Sequence, residues 1–511
     1  MRSSIIQTMN DVISEFTDSR VVVLGGSVAG LCAAAALSPL VREVEVIERD
    51  RLPAGPGHRR GVPQSRHPHF LLNAGRAAFE ELLPGFADDV IAGGGEILDP
   101  ARDAAYLEPR GWAPRKDGPL SMLYTSRILL ESVLRTRVRA LPNVRIREQT
   151  DVTGVVVNPA TGRVAGARIC DRRGETPVDA IAEADLVVDA MGRGSRVAAW
   201  LQQATGVQVP TLDLNAKVMY SSRWYNRPKD PGADLWWRQL VITPRPAGRG
   251  SPYSEYLTTI YPVDGDRWIV FMGSWGHDMP ATPEDFDRAA RLLRTPVFAD
   301  ALARAEPISD VYTTRSTHNR WLRYDRATPP AGILAVGDAA CAFNPLYGQG
   351  LSAAAKAATL LQQAAREHGR IDQTFARSYF ARHERFLQLP WTLATMRDKS
   401  YAHATGSEAM RDGVAKRLLV KVTIPIFDLV SAASREEPVV AEAFAKVFNI
   451  EEHVSTLGRP RFLLALLRYK VRDLFGRSRL PRPGDPMLPP PATVWSTPGQ
   501  ALATAATVMT R

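Results

Sequence analysis

Val336-Gly337-Asp338-Ala339-Ala340-Cys341-Ala342-Phe343-Asn344-Pro345-Leu346-Tyr347-Gly348-Gln349-Gly350-Leu351-Ser352 is the stretch that decides the fold. The apolar run Ile333 to Val336 reads as a buried strand that ends in Gly-Asp. A Pro/Gly loop follows, and Leu351 to about Glu367 is an alanine-rich helical pattern. The first amide N–H groups of a helix lack internal partners and lie at the positive end of its dipole, so this corner suits an anion. Gly348 and Gly350 let a flat ligand approach the backbone. Asp338 can accept a hydrogen bond from a sugar or polyol hydroxyl. Many α/β domains end a strand in Gly-Asp, so the meaning comes from a second corner some 310 residues earlier.

There, Arg20 to Leu24 is an apolar strand, Gly25-Gly26-Ser27-Val28-Ala29-Gly30 a glycine-rich turn, and a small-residue helix runs on through Leu37. The next apolar run, Val44 to Ile47, ends at Glu48, 18 residues past Gly30. This is a dinucleotide-binding βαβ unit, with an acid at the second strand end for ribose hydroxyls. Ser27 stands where a second glycine is usual; it is small and can itself hydrogen-bond phosphate. A third buried strand, Leu186 to Asp189, runs into Met191-Gly192-Arg193-Gly194-Ser195. Ligands of open α/β sheets sit at the carboxyl ends of strands. Three such ends imply one extended ligand crossing the sheet edge.

The remaining segments follow in order. Residues 51–70 are loop, and Leu71 to Leu83 a helix. His67 and His69 have the spacing of a metal pair, but no third ligand lies at metal spacing, so they read as polar loop residues. Segment 93–125 is broken by Gly and Pro into short strands, and Ser126-Arg127 opens a helix from Ile128 to Arg139. An arginine in a first turn opposes the dipole, so Arg127 faces either an anion or solvent. Val144 to Arg147, Val152 to Asn158 and Val164 to Cys170 are strands. From 211 to 325 the pattern alternates: Lys217 to Tyr225, Leu235 to Thr243, Tyr253 to Pro262 and Arg267 to Ser274 form an antiparallel sheet. Of Trp224, Trp236, Trp237, Trp268 and Trp275, one or two are expected to reach a ligand and the rest to pack. His277 is a loop histidine or a substrate contact. Helices Thr282 to Arg294 and Pro296 to Ala305 follow. Beyond 380 the chain is mainly helical, and Pro425 kinks or breaks Leu418 to Ala432. Arg459 to Arg479 is amphipathic, with Phe462, Leu463, Leu466, Leu467, Val471, Leu474 and Phe475 on one face. It either docks on the protein's own body or lies on an anionic membrane. Pro481 to Pro491 reads as a linker before a loose tail.

Composition narrows the classes. The net charge of +10 comes from arginines spread along all 511 residues, without a nucleic-acid motif. No apolar run reaches the ~18 residues that span a bilayer, and the N-terminal twenty residues carry acids rather than a secretory pattern. Three cysteines are too few for a disulfide framework. A reduced, cytoplasmic protein is expected.

Gly25 to Gly30 with Glu48, Ser126-Arg127, Ala184-Asp185 with Gly192 to Ser195, and Gly337-Asp338 with Pro345 and Gly348-Gln349-Gly350 together resemble the FAD-dependent monooxygenases of the p-hydroxybenzoate hydroxylase fold. Order and spacing agree over residues 20–380. Arg60-Gly61-Val62-Pro63-Gln64, His67, His69 and the Phe343–Gly350 loop look closest to actinobacterial biosynthetic flavin monooxygenases, above all the olefin epoxidases of polyether pathways.

The resemblance implies an α/β fold with a Rossmann-like FAD-binding domain of the glutathione-reductase type in two parts, residues 1–210 and 326–385. An antiparallel-sheet substrate domain would span 211–325, with 90–125 contributing to it, and a C-terminal helical region 386–511. It implies that Gly25, Gly26, Ser27 and Gly30 hold the FAD pyrophosphate and Glu48 the adenosine ribose, with Arg49 and Val152 as further cofactor contacts. Arg127 would reach the phosphates or adenine, and Asp338 the ribityl chain or pyrophosphate. Pro345, Gly348 and Gly350 would present amides to the flavin N1–C2 carbonyl edge. Arg60, Gln64, His69 and Tyr347 are the flavin-proximal candidates for catalysis, and no metal is expected. The implied chemistry is oxygen insertion from O₂, through a flavin C4a-hydroperoxide, into a lipophilic natural product. The aromatic hydroxylases of this fold carry Asp-Gly where this chain has Met191-Gly192. Electrons therefore come from NAD(P)H or from a separate flavin reductase. A flavin halogenase would show Trp-x-Trp-x-Ile-Pro, and a geranylgeranyl-type reductase Tyr-x-Trp-x-Phe-Pro. The chain has only Trp236-Trp237 and Thr259-Ile260-Tyr261-Pro262.

Overall fold

Strand β1, Arg20–Leu24, is buried from Val21 to Leu24, as expected for a strand covered on both faces. The computed structural model describes residues 16–109, 111–244, 256–315, 317–478, 480 and 490–494. The expected linker from Pro481 and the tail, apart from 490–494, lie outside the described residues, as do the first three residues of the strand expected from Tyr253.

Around β1 lie four parallel partners: β2 (Glu43–Ile47), β3 (Val144–Arg147), β4 (Leu186–Asp189) and β5 (Ile333–Ala335). The order across the sheet is β5-β4-β1-β2-β3. Leu24 stands opposite both Ile47 and Asp189, and Asp189 opposite Ala335. Strand ends far apart in sequence thus become neighbours along one edge. Helix α1, Val28–Leu37, covers the sheet with all but one residue buried. Its alanines allow close approach of α2, Gly350–His368, whose Gln362 Nε2 donates to the Ala36 carbonyl at 2.9 Å. Strands Thr150–Val157, Val164–Asp171 and Val178–Glu183 form a separate antiparallel sheet.

The second large sheet contains β6 (Val218–Asn226), β7 (Gln239–Ile242), β8 (Leu257–Val263) and β9 (Arg267–Trp275), in the order β6-β9-β8-β7. β7 also pairs in parallel with Ala104–Glu108, which enters from the 93–125 segment. Tyr312–Thr314 pairs with β6 at the opposite side. Trp237 and Trp268 stack at 6.0 Å in the core of this sheet, both buried.

Helix α3, Gln373–Thr395, crosses residue 385 without a break. Its Tyr379 hydroxyl donates to the Ala335 carbonyl at 3.1 Å, which fastens it beneath β5. Pro425 falls where a long helical run changes its hydrogen-bond pattern. Val414–Leu418 passes into a π-helical turn, Leu419–Thr423, and Pro425 then lies in the first turn of α4, Ile424–Ala433. The backbone is helical on both sides of Pro425, and its missing N–H falls beside the π-turn, where the regular i→i−4 pairing is already interrupted. α5 (Pro438–Phe448) and α6 (Pro460–Leu474) complete the C-terminal cluster. Among the described residues, no helix is long and apolar enough to cross a membrane.

Candidate functional site

The glycine-rich turn is shaped by contacts that exclude a side chain. Gly25 has φ +105°, and a Cβ there would lie 2.7 Å from the Ala190 carbonyl oxygen. A Cβ on Gly30 would lie 1.8 Å from the Gly25 oxygen. The turn delivers the chain to the N-terminus of α1, where Ser27 makes no side-chain cap. The first amides of α1 are therefore not capped by Ser27 and remain available to a phosphate. Glu48 is buried, and its two oxygens accept from Gly26 N at 2.9 Å and Asp50 N at 2.8 Å. These amides hold the carboxylate at the end of β2.

A group not foreseen from the sequence completes this end. Arg59, whose side chain is 5% exposed, lies 3.2 Å from Glu48, 2.9 Å from Asp50 and 2.8 Å from Glu131. Ser27 Oγ donates to Glu131 at 3.1 Å, and Arg127 donates to Ser27 Oγ at 2.9 Å. Ser126 caps the helix Arg127–Arg139 by accepting from Leu129 N. That fixes Arg127 at the first helical position, pointing inward. Arg127 is buried, so of the two readings open from the sequence, the inward one holds. Two guanidiniums among three carboxylates satisfy one another where isolated charges would be costly.

The other two strand ends meet across from it. Asp189 is fully buried and accepts from Met191 N at 3.1 Å and from Ser195 Oγ. Burial pushes its carboxyl up to about 6, against the pull of those hydrogen bonds. Arg193 donates to the Phe343 and His318 carbonyls and lies 3.5 Å from Asp338. The loop after Asp338 is held from behind by Asp398. That buried carboxylate accepts from Tyr347 Oη at 2.9 Å, Trp275 Nε1 at 2.9 Å, Asn344 Nδ2 at 2.7 Å and Asn319 Nδ2 at 3.5 Å. Gly348 takes φ +67°, and the chain enters α2 at Gly350 with no side-chain cap.

These pieces line one cleft of about 950 Å³, near the top of the roughly 300–1,000 Å³ range of ligand sites. Gly25, Ser27, Glu48, Arg49, Arg127, Val152, Asp338, Pro345, Gly348 and Gly350 line it, as do Gln64 and His69. Gly26 and Gly30 lie behind the lining, where Gly26 serves Glu48 and Gly30 packs α1 on the turn. Two of the expected flavin-proximal residues are elsewhere. Arg60 is exposed and outside the lining, and its neighbour Arg59 is the one that turns in. Tyr347 is also outside it, because its hydroxyl is drawn to Asp398.

None of the five tryptophans lines the cleft, and exposed His277 does not either. The aromatic wall is made instead by Tyr220 of β6, Phe271 of β9 and Tyr312. His67 Nδ1 is 2.9 Å from Ser222 Oγ, and its ring stands edge-on to Tyr220 at 4.6 Å. Burial, with Arg66 nearby, lowers His67 to about 3, and burial with Arg127 does the same for His69, so both are neutral at ordinary pH. Among the described residues, no group of three His, Cys, Asp or Glu is placed to hold a metal ion.

The residues fit FAD. Two helix N-termini without side-chain caps border one cleft. A Cβ on Gly350 would meet nothing nearer than Asp338 Oδ1 at 3.9 Å, and one on Gly194 nothing within 4 Å, so the backbone there is bare to a flat ligand. A carboxylate fixed by amides stands at the β2 end for a ribose.

Comparison with known proteins agrees. A family model described as FAD binding domain matches residues 18–386. Protein Rv3254 of Mycobacterium tuberculosis is 32% identical over 448 residues, covering 84% of this chain and 89% of that protein. Among solved structures, p-nitrophenol 4-monooxygenase PnpA from Pseudomonas putida superposes with a TM-score of 0.59 at 18% identity, over 86% of this chain and 99% of that one. The flavin-dependent brominase Bmp2 superposes with a TM-score of 0.60 at 14% identity, over 89% and 100%. At those identities the two structures speak for the fold, that of the p-hydroxybenzoate hydroxylase type. By the family match and the identity to its mycobacterial relative, this chain belongs to the FAD binding domain family of flavoproteins.

Proposed function

We propose that this protein is an FAD-dependent monooxygenase that transfers one oxygen atom of O₂ to a lipophilic small molecule, by epoxidation or hydroxylation. The observation that supports it is continuity. The cleft that begins at Glu48 and Arg127 passes Pro345 and Gly350 and ends on Tyr220, Phe271 and Tyr312. A cofactor end rich in charge and a substrate end rich in aromatic surface share one space.

Bound FAD supplies the redox chemistry with O₂. The chain's own contribution is placement and shielding. Val28, Val62, Phe70, Phe343 and Leu351 put apolar surface around the cleft, which keeps water from the reacting centre. The positive end of α2 at Gly350 lines the cleft and would stabilise negative charge on a reduced ring held there. Neutral His67 and His69 donate no charge; they fix the loop over the cleft through Ser222 and the His67 carbonyl. Electrons come from NAD(P)H or from a separate flavin reductase, since Met191 stands where an acid is usual. Olefin epoxidation of a polyether-type precursor is the finer reading.

The test is turnover of a lipophilic alkene probe under ¹⁸O₂, with NADPH alone and with an added flavin reductase. Label in an epoxide or alcohol product supports the proposal, and the two arms identify the electron source. Saturation of the alkene without oxygen uptake would make the protein a reductase instead.

A further inference from the structure

Helix α6 has two apolar faces, and among the described residues only one of them is packed. Phe462, Ala465 and Tyr469 are 3%, 4% and 0% exposed and pack with Val430, Ala433 and Val440. On the other side Leu464, Leu467, Leu474 and Phe475 are 68%, 60%, 71% and 76% exposed, and Leu463 and Val471 join them. At 3.6 residues per turn these six positions fall within an arc of about 120°. The face expected to be single is split: Phe462 docks on the body, while most of the rest faces outward. Single exposed leucines are ordinary, but a continuous stripe on a helix already anchored by its opposite side marks a contact surface.

The charges at its edges choose the partner. On the same helical projection Lys470 borders the stripe on one side and Arg461 on the other. Neither has a carboxylate within ion-pair distance among the described residues, whereas Arg468 and Arg472 are taken by Glu436 and Glu437. Residues 459–479 carry seven arginines and lysines against one aspartate. In the helical run Val414–Ala433, whose Ile424–Ala433 part packs beside α6, Leu418 and Ile426 are likewise 58% and 51% exposed, and Arg417 and Lys421 are exposed near them in sequence. A second copy docking on this face about a two-fold axis would bring like charge against like. An apolar stripe with cationic borders matches an anionic bilayer, where leucine and phenylalanine enter the acyl boundary and lysine and arginine meet the headgroups.

We propose that the outer face of α6 rests on an anionic lipid surface, holding the protein at the membrane without crossing it. This is independent of the substrate reading above. The test is sedimentation of the full-length, flavin-loaded protein with vesicles of phosphatidylcholine alone and of phosphatidylcholine mixed with phosphatidylglycerol. Binding should favour the anionic vesicles about tenfold or more and weaken with salt. Arg461→Glu with Lys470→Glu should abolish that preference. Leu464→Ser with Leu467→Ser and Phe475→Ser should lower binding to the anionic vesicles several-fold. All these positions are exposed, so circular dichroism and thermal unfolding should be unchanged. Equal or absent binding to the two vesicle types overturns the proposal. So does elution of the wild type as a dimer that the serine variant returns to monomer, which would make the stripe an interface between copies.

Discussion

The guanidinium Nε of Arg59 donates to Oε1 of Glu131 at 2.8 Å, across 72 residues of chain. Through Glu131 the same contact reaches Ser27 in the glycine-rich turn, and through Glu48 it reaches the end of β2. The loop before His67 is thereby tied both to the glycine-rich turn and to the end of β2.

Replacing Arg59 with methionine should expose what that tie contributes. Two buried carboxylates, Glu48 and Glu131, and the partly buried Asp50 would lose their shared partner, and breaking a buried pair from one side costs about 3–5 kcal/mol. Urea unfolding of the apoprotein should show a loss of that size. A loss below about 1 kcal/mol would mean that the network is held by its backbone donors alone.

Two glycines should respond in opposite ways. Gly30→Ala forces a Cβ to 1.8 Å from the Gly25 oxygen, so the turn must shift, at a cost of about 1–3 kcal/mol or more. Gly350→Leu meets no protein atom closer than 3.9 Å at its Cβ and gains helix propensity. Its apoprotein should be as stable as the wild type, while FAD binds about tenfold weaker or worse. Differential scanning calorimetry and FAD titration separate the two effects. Equal FAD affinity in Gly350→Leu would remove the cofactor from α2.

The corners of this site were legible because their chemistry is local. Strand, glycine spacing and helix start lie within a dozen residues, and the turn leaves no room for a side chain at positions 25 and 30. What sequence could not rank was which long side chain turns inward. Arg59 and Arg60 are adjacent in one loop, and only the approach of Glu131 decides between them. Tyr347 sits inside the most informative motif, yet a carboxylate 51 residues later claims its hydroxyl. The aromatic wall was misassigned for a related reason. Strand alternation finds aromatic residues but not the face they take, and the bulk of Trp237 and Trp268 fits the sheet's core. Periodicity likewise finds an apolar arc in 459–479 without saying which part of it docks.

Asp398 is the contribution of the C-terminal region to the loop that follows Asp338. Asp398→Ala takes the acceptor from the buried amide of Asn344 and from the part-buried donors of Trp275 and Tyr347. Each hydrogen bond to a charged group is worth about 1.5–3 kcal/mol. Loosening of the Asn344–Tyr347 turn by one such bond predicts FAD binding about tenfold weaker or more. FAD titration of the variant checks this, and unchanged affinity would limit Asp398 to global stability.

Asp189 supplies a pH dependence with a definite sign. Burial raises its carboxyl to about 6 in the folded protein, against about 3.9 unfolded. The folded state therefore holds the proton more tightly. The stabilisation is complete below about pH 4 and lost as pH rises through about 6, amounting to about 3 kcal/mol in all. Between about pH 5 and pH 8 the wild type should lose about 1.4 kcal/mol more than Asp189→Asn. Urea unfolding at both pH values measures it, and parallel curves would contradict the assignment.

The central claim is that one cleft holds FAD with its adenosine end at Glu48 and Arg59 and its flavin end at Pro345–Gly350. The most direct measurement is titration of the flavin-free protein with FAD and with FMN, which lacks the adenosine half. FAD should bind at least about a hundredfold tighter, a difference of about 2.7 kcal/mol, and Glu48→Gln should shrink that gap while leaving FMN affinity unchanged. Equal affinity for the two cofactors, or a gap that Glu48→Gln leaves intact, would contradict it.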